Sequence, residues 1–369
     1  MSSISVNTIT DASGGATTSI NGFTPSVSNM AGRNRIINGD MRISQRGASP
    51  TIGGGGDYSV DRFYNYYSGN VYTSVQSTTA PAGFINSLLL TITTASASPT
   101  YSFFGQKIEG VNVSDLSWGT SDAKSVTLSF WVRSSVAGIY SLSLGNYDGN
   151  RAYPITYTIS SANTWQQISL TIPGDTSGAW YTNNFIGIML RWNMGTASAS
   201  RLGTSGSWQS ANLDGATGST GSNNWANTSG ATFYITGVQL EEGSVATPFE
   251  HRQYGQELAL CQRYYYKWST NATVYPFTLQ VYNASSAFGK LFDLPVQMRS
   301  SPSCVVTGTF YPHNATGGSA GNFTNMTNMK TSTTSISTGA WTGASGLVAG
   351  NATGIGALSN ATITVDAEL

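Results

Sequence analysis

The feature that most limits the fold is a two-residue alternation that recurs in short runs along most of the chain. In VTLSFWVR, Val126, Leu128, Phe130 and Val132 fall on one face, and Thr127, Ser129, Trp131 and Arg133 on the other. The same period recurs in IYSLSLG after a turn at Gly138, in YPITYTIS and in WQQISLTIPGD, which aligns Ile168, Leu170 and Ile172. NFIGIMLRWNMG aligns Ile186, Ile188, Leu190 and Trp192 opposite Met189 and Arg191, and ATFYITGVQL is the last clear run before residue 250. Successive side chains of a strand point to opposite sides of its sheet, so each run reads as a strand with one buried face. Closely spaced Gly, Asn and Pro turns, with no strong helical period, predict an all-β fold whose main body is an antiparallel sandwich.

Three segments are expected. Residues 1–33 are turn-rich, and apart from the short run ISVNTIT they hold little from which to build a core. Such a segment is either a linker or is tied down by a partner. Residues 34–254 carry the sandwich. Residues 255–369 form a smaller β domain that opens on GQELALCQRYYYKW, a helix whose aromatic end equally suits the start of a strand, and closes on the alternating NATITVDAEL. The stretch 196–231 is too long for an ordinary connection. Trp208 and Trp225 within it predict that it folds back on the sandwich.

Composition narrows the function. Only 9% of the 369 residues are charged and the net charge is zero, where about 25% charged is usual. Hydroxyls and amides therefore solvate the surface, and aromatic residues reach 11%. Four arginines (Arg33, Arg35, Arg42, Arg46) cluster around NRIINGDMRISQRG. Binding to nucleic acid needs a basic patch or stripe, and a chain of zero net charge lacks the long-range attraction, so no nucleic-acid partner is expected. Instead Ile37, Gly39, Met41 and Ile43 alternate with Ile36, Asn38, Asp40 and Arg42, as in the first strand of a sandwich. Its expected partner is the closing FYITGVQLEEG, whose Glu241 and Glu242 can meet the arginines. Arg33 and Arg35, at the junction with the first segment, are candidates for contacts to another chain.

Residues 1–30 show neither a charged n-region nor an apolar run, and nothing approaches the ~18 apolar residues of a membrane span. The expectation is a chain made in the cytoplasm with no signal peptide and no membrane partner. Cys261 and Cys304 lie in apolar contexts and read as buried thiols, with a disulfide between them as the alternative.

Little chemistry is visible. His251 and His313 each lie in a polar turn context with no local orienting acid for a Ser-His-Asp system, and no Cys/His metal spacing occurs. TIGGGGDYS lacks the lysine of a phosphate loop. Glu241 and Glu242 are neighbours on one strand and point to opposite faces, so they are no acid/base pair for glycoside cleavage; Asp61, Asp148, Asp175 and Asp214 are the acids that folding would have to bring together. The chain is read as a non-enzyme without cofactor or metal. The positive signal is aromatic. DRFYNYYSGNVYTS places Tyr64 and Tyr66 on one face of a strand and Phe63, Asn65 and Tyr67 on the other. Sugars stack their C–H faces on rings that have one wet side, while Asn, Gln, Asp and Arg read the hydroxyls. Trp165 and Trp192 lie in apolar register and are assigned to the core. Tyr64, Tyr66, Trp131, Arg133, Arg191 and Trp225 are the glycan-binding candidates.

Several stretches resemble a family of bacteriophage and prophage tail-fibre or appendage proteins with a carbohydrate-binding-module-like jelly roll. They are NRIINGDMRISQRG, YSVDRF, GQKIEGVNVSDLSWGTSDAKSVTLSFWVRSS, TWQQISLTIPGDTSGAW, FYITGVQLEEGSVATPFEHRQYGQELALCQRYYYKW and LPVQMRSSP, discontinuously over residues 34–305. The resemblance implies a homotrimeric virion protein. Its first segment would join another virion protein of the tail, baseplate or capsid, and its body would contact host cell-surface polysaccharide. The alternatives are a purely structural fibre or decoration protein and, third, a polysaccharide depolymerase. Related jelly rolls frame a structural calcium with acids at their opening and closing strands. Here Arg42 replaces the acid after Asp40 and Met41, and ITGVQLEEG lacks the paired acids, so no calcium is expected; that ion takes about six to eight oxygen ligands.

Overall fold

The computed structural model describes residues 32–47, 49–50, 52–313, 321–326 and 329–369, the side chain of Ala340 excepted. Apart from Gly32 and Arg33, the expected attachment segment, including its run ISVNTIT, lies outside the described residues. The chain divides into two compact units, the first ending at Arg252 and the second spanning Gln253–Leu369.

In the first unit the strands are β1 (Gly55–Tyr58), β2 (Phe63–Ser68), β3 (Val71–Ser77), β4 (Ser87–Thr94), β5 (Tyr101–Glu109), β6 (Val126–Ser134), β7 (Gly138–Gly145), β8 (Ala152–Ile159), β9 (Gln166–Ile172) and β10 (Ile186–Asn193). A parallel pair, β11 (Leu202–Gly203) and β12 (Gly215–Ala216), follows, then helix α1 (Thr220–Ala226) and the long β13 (Thr232–Glu242). A six-stranded sheet in the order β1-β2-β5-β10-β7-β8 faces a five-stranded sheet in the order β3-β4-β13-β6-β9. Every pairing within these two sheets is antiparallel. The chain passes repeatedly from one sheet to the other (β2 to β3, β4 to β5, β5 to β6, β6 to β7), which is the wrapping of a jelly roll.

The alternation read from the sequence decides what lies between the sheets. Val126, Leu128, Phe130 and Val132 of β6 meet Ile188, Leu190 and Trp192 of β10 in one apolar core. Trp192 stacks on Phe104 of β5 at 5.2 Å and meets Phe130 of the opposite sheet edge-on at 5.7 Å. Burying such rings removes 150–250 Å² each from water, the main stabilising contribution to a sandwich of this size. Trp165, expected in the core, is half-exposed instead and packs edge-on against Tyr234 at 6.0 Å. It precedes β9, before the register that sends Ile168, Leu170 and Ile172 inward begins.

The opening segment departs from the expected strand. Asn38 and Met41 adopt left-handed backbone angles, each with φ of 60°. Asn38 suits this position because its side chain holds the turn: its amide donates to Ile43 O at 2.8 Å, and its carbonyl accepts from Ile43 N at 2.9 Å. Both faces of the segment are buried, with Ile36, Ile37, Met41 and Ile43 all in the interior. Its expected partner is the observed one: Arg35 N donates to Leu240 O and Val238 N donates to Gly39 O. They meet at a bulge in β13 between Thr236 and Gln239, and a Cβ on Gly39 would come 2.1 Å from Val238 O, so a glycine is needed there. Glu241 forms an ion pair with Arg33 at 3.6 Å, whereas Glu242 pairs with Lys124 at 3.2 Å.

The second unit begins with helix α2 (Tyr254–Gln262), and the aromatic end of that stretch starts β14 (Tyr265–Ser269). The strands β15 (Val274–Asn283), β16 (Ser286–Asp293), β17 (Ser303–Thr307), β18 (Phe310–His313), β19 (Met329–Thr331), β20 (Ser335–Thr342), β21 (Ala352–Ala357) and β22 (Thr362–Asp366) complete it. They form sheets β14-β22-β17 and β18-β21-β15-β16-β20-β19 around their own core, which includes Leu279, Phe310, Ile336, Trp341 and Ile363. Cys261 is a buried thiol and Cys304 a half-buried one. No helix among the described residues is long and apolar enough to cross a membrane.

Candidate functional site

The outward face of the six-stranded sheet carries the aromatic side chains that its period-two alternation sends away from the core. Antiparallel register aligns Tyr58, Tyr64, Gly105, Arg191 and Ser143 in one row across β1, β2, β5, β10 and β7. The next row holds Tyr66, Phe103, Asn193 and Ser141. Gly105 has no side chain between Tyr64 and Arg191, so the phenol and the guanidinium approach each other. Burial raises the Tyr64 hydroxyl above the ordinary tyrosine range, and the charge of Arg191 pulls it partly back.

These rows floor a groove of about 540 Å³. Tyr66 stacks on Phe103 at 5.4 Å and meets Tyr101 edge-on at 6.0 Å. Lys107 Nζ lies 4.9 Å over the Tyr64 ring, and the Arg191 guanidinium 5.4 Å over Phe103. One wall is the turn after β7, with Tyr147 and Asp148 exposed. The other comes from the long 196–231 stretch, which supplies Ser198, Ser200, Arg201 and Asn212. Buried Asp214 fixes that wall: Arg201 Nε donates to it at 2.9 Å, and Arg191 lies 3.5 Å away. Arg191 also donates to Asn212 Oδ1 at 2.7 Å. Tyr64 and Phe103 are buried, while Tyr66 and Tyr101 are half-exposed and Tyr147 is exposed; these wet rings, flanked by fixed amide, guanidinium, ammonium and hydroxyl groups, can stack on sugar C–H faces and read hydroxyls.

No family model and no curated protein matches the sequence. Among solved structures, the chain is similar to the enzymatically active domain of bacteriophage CBA120 tailspike protein 4. The identity is 14%, the match covers 57% of this chain but 21% of that one, and the TM-score is 0.32. It is also similar to the CBM22-1 xylan-binding domain from Paenibacillus barcinonensis, at 10% identity over 58% of this chain and 98% of that one, with a TM-score of 0.29. A family 11 carbohydrate-binding module from Clostridium thermocellum, solved with a mixed-linked tetrasaccharide, is 12% identical over 55% of this chain and 97% of that one, with a TM-score of 0.27. The jelly-roll assignment rests on the sheet order given above.

Of the residues singled out from sequence, Tyr64, Tyr66 and Arg191 converge on the groove. Trp131 and Arg133 do not: they lie on the outward face of the five-stranded sheet, on the opposite side of the sandwich. There Arg133 covers the Tyr234 ring at 5.2 Å and donates to Asn163 O at 3.0 Å. Trp225 is a correction. It sits on α1 with no exposed surface and packs against Tyr72 at 5.9 Å, because the long stretch folds its helix into the open edge of the core. Arg33 and Arg35 are engaged within their own unit, Arg33 with Thr247, Pro248 and Glu241, and Arg35 with Asn112 O and Asp115. Phe103, Tyr101, Lys107, Tyr147, Arg201 and Asn212 escaped the sequence reading. The alternation Tyr101, Phe103, Gly105, Lys107 was the available signal for three of them.

Three of the acids considered for glycoside cleavage, Asp61, Asp175 and Asp214, are buried in ion pairs with Arg46, Arg151 and Arg201, and one, Asp148, is exposed at the groove rim. Asp40 is paired with Arg42 at 2.5 Å, and burial lifts its carboxyl above the usual range against the pull of that arginine. Among the described residues, no three His, Cys, Asp or Glu side chains cluster as metal ligands.

Proposed function

We propose that this protein is a non-enzymatic phage virion appendage whose groove binds host cell-surface polysaccharide. The observation that carries the reading is the groove itself, in which Tyr66, Phe103 and Tyr101 form an aromatic floor beside Arg191, Lys107 and Asn212. The sparsely charged, hydroxyl-rich surface and the sequence resemblance to tail-fibre proteins support a place in the virion after assembly in the host cytoplasm. In this reading residues 1–33 attach to a tail, baseplate or capsid protein, and three copies associate. Three linked sites convert weak single-site contacts into useful avidity.

The test is a glycan array bearing bacterial surface polysaccharides, probed with the intact protein and with Tyr66→Ala. Binding that falls by about tenfold or more in the variant, equivalent to about 1.4 kcal/mol, supports the groove. A blank array, or equal binding by both proteins, refutes it and favours a structural fibre or decoration protein. Release of reducing ends from any bound polysaccharide would refute the non-enzymatic assignment. Sedimentation of the purified protein as a monomer would refute the trimer.

A further inference from the structure

Beside the groove lies a second cleft of about 380 Å³ at one end of the sandwich, between the 110–124 segment and the 174–188 segment. Its walls are Val113, Ser114, Ser117, Trp118, Thr120 and Asp122 on one side, with Trp180, Tyr181 and Thr182 on the other. The two walls are pinned together. Trp118, Trp180 and Trp208 pack mutually edge-on, at centroid separations of 4.8, 5.4 and 5.6 Å. Gly119 N donates to Asp175 O at 2.7 Å, and the Asp175 carboxylate, buried, takes two hydrogen bonds from Arg151. The cleft is therefore preformed, which keeps the ordering cost of binding low. Inside it, indole and phenol faces stand next to the hydroxyls of Ser114, Ser117, Thr120 and Thr182 and the carboxylate of Asp122.

Cleft and groove share a boundary. Tyr181 lines the cleft, its ring lies 5.7 Å from Tyr147 of the groove, and its hydroxyl donates to Asp148 at 3.4 Å. Tyr147 and Phe185, both about half exposed, extend this aromatic ridge on either side of Tyr181. We infer that the cleft is a second sugar subsite, taking one pyranose unit of the polysaccharide bound in the groove, and that the ridge carries the chain from one to the other. This rests on the glycan reading of the groove. It makes the ligand an extended polymer whose units are held at two places.

The two sites differ spectroscopically: tryptophan lines the cleft, whereas the groove lining holds tyrosine and phenylalanine alone. The experiment uses full-length protein labelled with 5-fluorotryptophan, with resonances assigned through W118F, W180F and W192F. D-glucose, D-galactose, N-acetyl-D-glucosamine and L-rhamnose are each titrated to about 50 mM, which fills most of a site whose dissociation constant is on the order of 10 mM. The expected result is a saturable shift of the Trp118 or Trp180 resonance by at least one sugar, with the core Trp192 resonance unmoved. Ser114→Tyr, an exposed position that narrows the cleft, should weaken this response about tenfold, while Tyr66→Ala should leave it unchanged. Silence of both cleft resonances across the four sugars, or a response that survives Ser114→Tyr, overturns the subsite. If the cleft is silent while Tyr66→Ala still abolishes polysaccharide binding, the groove reading stands alone. If the cleft responds while Tyr66→Ala binds polysaccharide normally, the groove reading fails instead.

Discussion

Replacing Tyr157 by Phe tests how this core is built. Tyr157 points from β8 into the sandwich, edge-on to Phe130 at 5.2 Å and stacked with Tyr140 at 5.9 Å. Its hydroxyl is buried and has no hydrogen-bond partner among the described residues, whereas that of Tyr140 donates to Val136 O at 2.8 Å and that of Tyr72 to Phe103 O at 2.9 Å. An unsatisfied buried polar group costs about 1–3 kcal/mol. Deleting it while keeping the ring should therefore stabilise the first unit at neutral pH by about 1 kcal/mol, the small void offsetting the remainder. The pH dependence sharpens the test. Tyr64, Tyr72, Tyr140 and Tyr157 are all raised by burial above the ordinary value of 10.0. Below pH 10 both folded and unfolded chains hold these protons, and the stability they contribute is complete. Above it the unfolded chain releases them first, so stability falls as pH rises toward the folded values. Each buried hydroxyl adds to this alkaline loss, because burial opposes its ionisation only in the folded chain. The first unit should therefore unfold on the alkaline side of pH 10, and Tyr157→Phe, which removes one of the four groups, should move that transition to higher pH. Near-ultraviolet circular dichroism and tyrosinate absorbance, followed together, check this. Loss of more than about 1 kcal/mol at pH 7, or an unchanged alkaline midpoint, would refute the reasoning.

Three further outcomes are expected. Trp225→Ala should lower the stability of the first unit by about 3–5 kcal/mol, measured by urea unfolding, because it empties part of the core; a loss of glycan affinity at unchanged stability would contradict its burial. Asp175→Ala strands Arg151 and should cost about 2–4 kcal/mol, a midpoint shift of about 1 M urea; a shift too small to measure would mean that the pair does not hold the cleft walls. Burial pushes the Cys304 thiol up to about 11, so its alkylation by iodoacetamide at pH 8 should be at least about a hundredfold slower than that of an exposed cysteine, and labelling at the rate of a free thiol would refute its burial.

The strands β6 to β10 and β13 were legible because one face of each must be apolar and the other polar, a local requirement that a single sequence displays. The stretch at 255–268 held both the helix and the strand start, since Gln, Glu, Leu and Ala favour the one and the consecutive tyrosines the other. The opening segment was misread for a related reason. Its alternation is real, but side-chain hydrogen bonds at Asn38 outweigh it and turn the chain, and both faces are covered.

Period-two alternation states which side chains leave the core, and so Tyr64, Tyr66, Trp131, Arg133 and Arg191 could all be placed outward by sequence. It does not state which sheet each strand joins. That choice depends on pairings between residues far apart in the chain, such as Tyr64 with Gly105 and Gly105 with Arg191. Only those pairings separate Trp131 and Arg133 from the groove and bring Tyr101, Phe103 and Lys107 into it. Trp225 shows the same limit from the other side: its own segment is polar and turn-like, and burial comes from Tyr72, which lies about 150 positions earlier in the chain. The sequence by itself determined a sparsely charged, aromatic, antiparallel sandwich. The tertiary structure alone decided which of its outward-facing side chains come together in one groove.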